Sequence, residues 1–107
     1  MTEFLFYPLL VQFTALETPH GKFIAVYDGH GNSLIAEILQ STLHKYIFDF
    51  VDTSFPLTQS IKKAFTKLDE EILNFQRVNS IDGGSTALIT LKKTRLSLWQ
   101  IVATLQQ

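Results

Sequence analysis

The 107-residue chain carries nine Lys and Arg against ten Asp and Glu, a net charge of −1, and 46% of it is apolar. So even a balance leaves no basic stripe for nucleic acid or an anionic membrane, and the apolar share excludes wholesale disorder. With no cysteine there is neither a disulfide framework nor a thiolate zinc site, and the length fits one domain or a piece of one. From Phe4 to Phe13 the chain is mostly apolar, but Pro8 interrupts the run and Glu3 is the one charge before it. Spanning a bilayer takes about 18 or more apolar residues, and a signal peptide wants a basic start. Neither a membrane helix nor a signal peptide is expected, and cytoplasm is the default location.

Phe4 to Leu16 fits a strand pair or an ill-packed tail equally well. Thr18-Pro19-His20-Gly21 reads as a turn, since proline presets φ and glycine accepts positive φ. The continuous apolar run Phe23-Ile24-Ala25-Val26-Tyr27 predicts a short buried strand over 22–27. Asp28-Gly29-His30-Gly31 follows as a turn. Asn32 or Ser33 then caps a helix from Ser33 to Phe50, with Ile35, Leu39, Tyr46 and Phe50 on one face beside Ile38 and Thr42. Asp52 to Leu57 breaks that pattern, and Pro56 suits a first helical turn. Ile61, Ala64, Phe65, Leu68, Ile72 and Phe75 fall three or four residues apart, which predicts a second helix ending near Arg77. Asn79 to Gly84 is a loop. Thr86–Leu91 and Leu96–Val102 are strands joined by the polar turn Lys92–Arg95. Strand, helix, helix and hairpin make an α+β fold, a sheet with two helices on one face.

The chemistry concentrates between Phe23 and Asn32. An apolar strand delivers the Asp28 carboxylate to its C-terminal end, and Gly29 lets a backbone carbonyl approach the same spot. Two oxygens of different kinds suit a hard cation such as Mg²⁺ or Mn²⁺, and His30 stands close enough to exchange a proton beside it. Asp-Gly and His-Gly are equally ordinary turn pairs, and residue types by themselves favour a plain turn. An EF-hand fails, because Leu39 occupies the place of the bidentate glutamate. His20 reads as a loop residue and His44 as helix surface, neither with ligand partners at the right spacing. Asp69, Glu70 and Glu71 read as a solvated face, and Trp99 as packing.

The string Val26-Tyr27-Asp28-Gly29-His30-Gly31 closely resembles the signature of the type 2C, metal-dependent protein Ser/Thr phosphatases. A helix follows it at once, Ile61 to Glu71 is similar to the family's second helix, and Gly84-Ser85-Thr86-Ala87 looks like the opening of a central strand in those enzymes. The resemblance covers about Lys22 to Val102. It implies part of an α-β-β-α sandwich, with 22–107 as a partial phosphatase-like domain and 1–21 as a poorly matched N-terminal segment. By the same resemblance Asp28 bridges two divalent metals, Mg²⁺ or Mn²⁺, Gly29 offers its carbonyl to one, and His30 protonates the leaving alcohol. A water activated by the two metals would attack phosphoserine or phosphothreonine in a phosphoprotein substrate. Gly84 to Thr86 open a strand rather than a helix, so packing is expected of them in place of a phosphate cradle.

The departures from the family pattern are as informative. Family members place an Arg and a Glu-Asp pair upstream of the signature, whereas the first arginine here is Arg77 and the only acids before Gly21 are Glu3 and Glu17. Downstream, no Asp or Glu follows Asp82, although the family draws further metal-binding aspartates from its C-terminal half. Where the family continues Val-Gly-Asp-Ser, this chain reads Val102-Ala103-Thr104-Leu105, as codons that lost a single G would; an interrupted reading frame is the expectation. The expected activity is therefore phosphatase-like but impaired. The alternative is a non-catalytic remnant or interaction module, with self-association through exposed apolar surface.

Overall fold

The computed structural model describes residues 11–92 and 98–105, the latter through its backbone. It contains β1 (Val11–Thr18), β2 (Gly21–His30), α1 (Leu34–Asp52), α2 (Leu57–Asn79), β3 (Gly84–Lys92) and β4 (Leu98–Leu105). The strands form one antiparallel sheet in the order β1-β2-β3-β4, with both helices inserted between β2 and β3. The α+β expectation holds. Residues 93–97, where most of the polar turn and Leu96 were expected, lie outside the described residues, as do Phe4–Leu10 and the Trp99 side chain.

Three local differences from the sequence reading share one cause, strand pairing. The undecided N-terminal stretch becomes, from Val11 onward, a single strand paired along its length with β2, from Val11↔Asp28 to Thr18↔Gly21. Asp28, Gly29 and His30 are not a turn. They continue β2, because β3 starts two residues earlier than expected and pairs with them as Thr86, Ser85 and Gly84. The last strand likewise shifts, running from Leu98 to Leu105 against β3.

Burial along β2 alternates, where a fully buried strand was expected. Phe23, Ala25 and Tyr27 are sealed, whereas Ile24 and Val26 are each 38% exposed. A strand's side chains point to opposite faces with period two, and here the described helices cover one face only. α1 lies across β1, β2 and β3, while α2 packs against α1. The shortest dimension, 17 Å, accommodates a sheet plus one helical layer. Inside it, Ile35, Leu39, Leu43 and Ile47, each four residues apart, meet Phe23, Ala25, Tyr27, Ala87 and Ile89. Tyr46 and Phe50, expected on that inner face, are only partly buried beside the core. Phe75, expected on the α2 stripe, is 38% exposed; Gln76 is buried there instead.

Asn32 rather than Ser33 supplies the side-chain cap of α1, its Oδ1 accepting from Leu34 N–H at 2.9 Å. Pro56 stands just ahead of α2, and the helix ends at Ser80 in the left-handed region. Among the described residues no helix is long and apolar enough to cross a membrane.

Leu39 has no exposure and faces the sheet. Leu39→Ala is expected to lower unfolding stability by about 2–5 kcal/mol, while exposed Lys62→Ala stays within about 0.5 kcal/mol, both read from urea denaturation.

Candidate functional site

Asp28 and His30 occupy alternate positions at the C-terminal end of β2, so both are assigned to the face opposite the helices. Two residues of strand separate their Cα atoms by roughly 6.5 Å. Asp28 is exposed, His30 is half-buried, and Gly29 between them is buried. Beside Asp28 in the sheet stand Val11 on β1 and Thr86 on β3. On the same face Phe13, Val26 and Leu88 are mutual neighbours across three strands, at 64%, 38% and 37% exposure, and at the far end Glu17, Lys22 and Lys92 stand in one paired row. Thus the Asp28–His30 pair borders an exposed apolar stripe.

The imidazole of His30 carries a buried Nε2 without a hydrogen-bond partner among the described residues. Directly after it the chain turns through Gly31 at φ +87°, and Gly83 at φ +120° sits against the same bend. A Cβ on Gly31 would come to 3.0 Å from Gly83 Cα, and one on Gly83 to 3.0 Å from His30 O. Glycine is required on both sides of this contact. Asn32 Nδ2 donates to Asp82 O at 2.6 Å, and Gln76 Nε2 donates to Gly83 O at 3.0 Å. The first of these joins residues 50 apart in the chain, the second residues only seven apart. Gln76 nonetheless leaves a trace, being a polar residue four after Ile72 on an otherwise apolar stripe.

Tyr27, inside the signature string, points the other way, into the core. Burial pushes its phenol up to about 12, and the nearby Thr14 hydroxyl opposes this in part. Thr14 sends its own proton to Gln40 O at 3.0 Å, and the Tyr27 hydroxyl makes no full hydrogen bond among the described residues.

The other histidines differ from expectation. His20 has a carboxylate partner after all, Asp52, 32 residues on and 3.3 Å away, and its ring stacks on Phe48. His44 is not plain helix surface: its ring tilts against Phe23 with a buried Nδ1, and burial, then Lys45, lowers its pKa. Glu71, read as solvated, accepts the Tyr46 hydroxyl and ties the helices together.

Among the described residues no three His, Asp or Glu side chains gather tightly enough to hold a metal ion. The Asp28 carboxylate and a Gly29 carbonyl are right in kind for Mg²⁺ or Mn²⁺ and short in number, since such ions take about six oxygens.

The family model described as Protein phosphatase 2C matches residues 7–103. The chain belongs to the protein phosphatase 2C family. It is 37% identical over 70 residues to "Probable protein phosphatase 2C 27" of Arabidopsis thaliana, covering 64% of this chain and 18% of that protein. With "Probable protein phosphatase 2C T23F11.1" of Caenorhabditis elegans it shares 30% identity over 80 residues, 72% of this chain and 22% of that one. The chain thus spans about a fifth of the length of these curated relatives. A solved structure titled "Structure of a C.elegans sex determining protein" superposes with a TM-score of 0.69 over 78% of this chain and 23% of its own, at 22% identity. That likeness bears on the fold alone.

The Tyr27 phenol makes stability pH-dependent with a definite sign. Below its ordinary value of 10.0 it is protonated whether the chain is folded or not, and stability is undiminished. Between 10.0 and about 12 the unfolded chain loses the proton first, so stability falls; above that range the slope from this group flattens. Urea midpoints measured across this range are expected to fall less steeply for Tyr27→Phe than for the unsubstituted chain.

Proposed function

We propose that these residues are the signature-bearing part of a metal-dependent phosphatase domain that hydrolyses phosphoserine and phosphothreonine in cytoplasmic phosphoproteins. Membership of the phosphatase 2C family supports the reaction class. One observation carries the assignment of roles: strand alternation assigns Asp28 and His30 to one open face at the end of β2. In this reading the Asp28 carboxylate and the Gly29 carbonyl are oxygen donors to Mg²⁺ or Mn²⁺. Divalent ions at such a site supply an activated water and neutralise charge on the phosphoryl oxygens. His30 holds the proton that the leaving serine or threonine alkoxide takes up, and its half-buried position limits exchange with bulk water. The sealed Phe23, Ala25 and Tyr27 side chains lock the strand from behind and hold the pair in place.

The described residues by themselves offer too few oxygen donors beside Asp28 for efficient turnover. Purified chain with manganese and p-nitrophenyl phosphate is therefore expected to hydrolyse no faster than Asp28→Ala. Joined to the remaining segments of a phosphatase 2C relative, the same chain should gain manganese-dependent hydrolysis, and Asp28→Ala should remove it by at least about 10²-fold. A grafted protein that folds but shows no Asp28-dependent turnover would overturn the assignment.

A second reading, a non-catalytic module that associates through its open face, is favoured by the Phe13–Val26–Leu88 stripe. Exposed apolar surface of this continuity marks association. Sedimentation of the isolated chain should show oligomers that Phe13→Asp and Leu88→Asp disperse; a monomer at every concentration would count against this reading.

A further inference from the structure

Two side chains outside the signature, Asn32 and Gln76, converge on consecutive carbonyls of one short loop. Asn32 begins the run into α1, and its Nδ2 takes the Asp82 carbonyl at 2.6 Å while its Oδ1 accepts from Leu34 N–H. Gln76 sits near the end of α2, 5% exposed, and its Nε2 takes the Gly83 carbonyl at 3.0 Å. The loop is therefore gripped from just ahead of α1 and from the last turn of α2. At this bend a Cβ on Gly83 would come to 3.0 Å from His30 O and one on Gly31 to 3.0 Å from Gly83 Cα, and both glycines have positive φ, so a side chain at either is strained and crowded. Immediately beyond the loop β3 begins, and its first residues Gly84, Ser85 and Thr86 pair with His30, Gly29 and Asp28.

That arrangement has a consequence for register. β3 returns to β2 only after two helices, so no tight turn sets their alignment. A slip of β3 by one residue would carry its side chains to the other face, turning Ala87, Ile89 and Leu91 out of the core and removing Thr86 from its place beside Asp28. Gln76 is a buried polar residue at the end of an apolar stripe, where its Nε2 donates to the loop while its Oε1 has no hydrogen-bond partner among the described residues.

We propose that Asn32 and Gln76 are positioning residues that pin the Asp82–Gly83 backbone against Gly31 and thereby set the register in which β3 pairs with β2 beside Asp28 and His30. The functional meaning rests on the phosphatase reading above; the structural effect does not, and it is measured without metal or substrate.

The test is amide hydrogen exchange followed by NMR on the 107-residue chain, unsubstituted and as Gln76→Met, Asn32→Asp and Leu68→Ala. Gln76→Met keeps the length of the side chain and removes its donor. Asn32→Asp keeps the acceptor for Leu34 N–H and removes the donor to Asp82 O. Both are expected to speed exchange of protected amides among 28–31 and 83–86 by at least about tenfold relative to those among 23–26 and 88–91. The ring carbon shifts of His30 should move, with those of His20 and His44 as unmoved references. Leu68→Ala, a core truncation on the same helix, should instead speed exchange across the whole sheet. Should Gln76→Met fail to fold, Asn32→Asp carries the test alone. Uniform acceleration in the two donor variants, or unchanged exchange at 28–31 and 83–86, would overturn the proposal whatever the chain's activity.

Discussion

Everything in this chain turns on the alternation of β2. One strand sends Phe23, Ala25 and Tyr27 into a sealed core and exposes Ile24, Val26 and Asp28 on the other side. Burying the first set supplies the driving force for folding, of order 1.5–3 kcal/mol for each large side chain. The second set takes its direction from the first, because the two faces of a strand cannot be chosen independently. The position of the Asp28 carboxylate is thus a by-product of where the phenylalanine and tyrosine go.

The helices contribute in unequal ways. α1 seals the sheet through Ile35, Leu39, Leu43 and Ile47. α2 buttresses α1, through apolar packing and through the Tyr46–Glu71 hydrogen bond, and then hands the chain to β3 at a loop held by Asn32 and Gln76. Between them the two helices separate β2 from β3 by more than fifty residues, yet the strands pair at the site itself. Fidelity there depends on buried backbone acceptors finding partners, a short-range and directional requirement, whereas the core imposes only a general demand for apolar volume.

Stability and chemistry meet on the open face. Its apolar stripe calls for cover, and the Asp28–His30 pair lies at its rim. A partner layer that buries Phe13, Val26 and Leu88 would bring new groups to the edge where, among the described residues, no cluster of His, Asp or Glu surrounds Asp28. Both the phosphatase reading and the association reading follow from that single surface and differ in what covers it. The protein phosphatase 2C family match spans all four strands and both helices up to Ala103.

Much of this was legible in the residues. The 3.6-residue periodicity of Ile61, Ala64, Leu68 and Ile72 located α2, and the apolar run at Phe23 located β2, since hydrophobic spacing is a local property. The family was legible too, from Val26 to Gly31 and Gly84 to Ala87. What local sequence left open was where each strand stops and which way its side chains look. A continuous run from Phe23 to Tyr27 cannot say whether one face or two will be covered, and Asp-Gly-His-Gly is as good a turn as a strand end. Only pairing with Thr86, Ser85 and Gly84, residues far along the chain, extends β2 through His30 and separates Tyr27 from Asp28. Hydrophobic spacing determined which elements form, and the signature string pointed to the family; long-range strand pairing decided where β2 ends and what stands beside Asp28 and His30, because pairing is settled between segments and not within one.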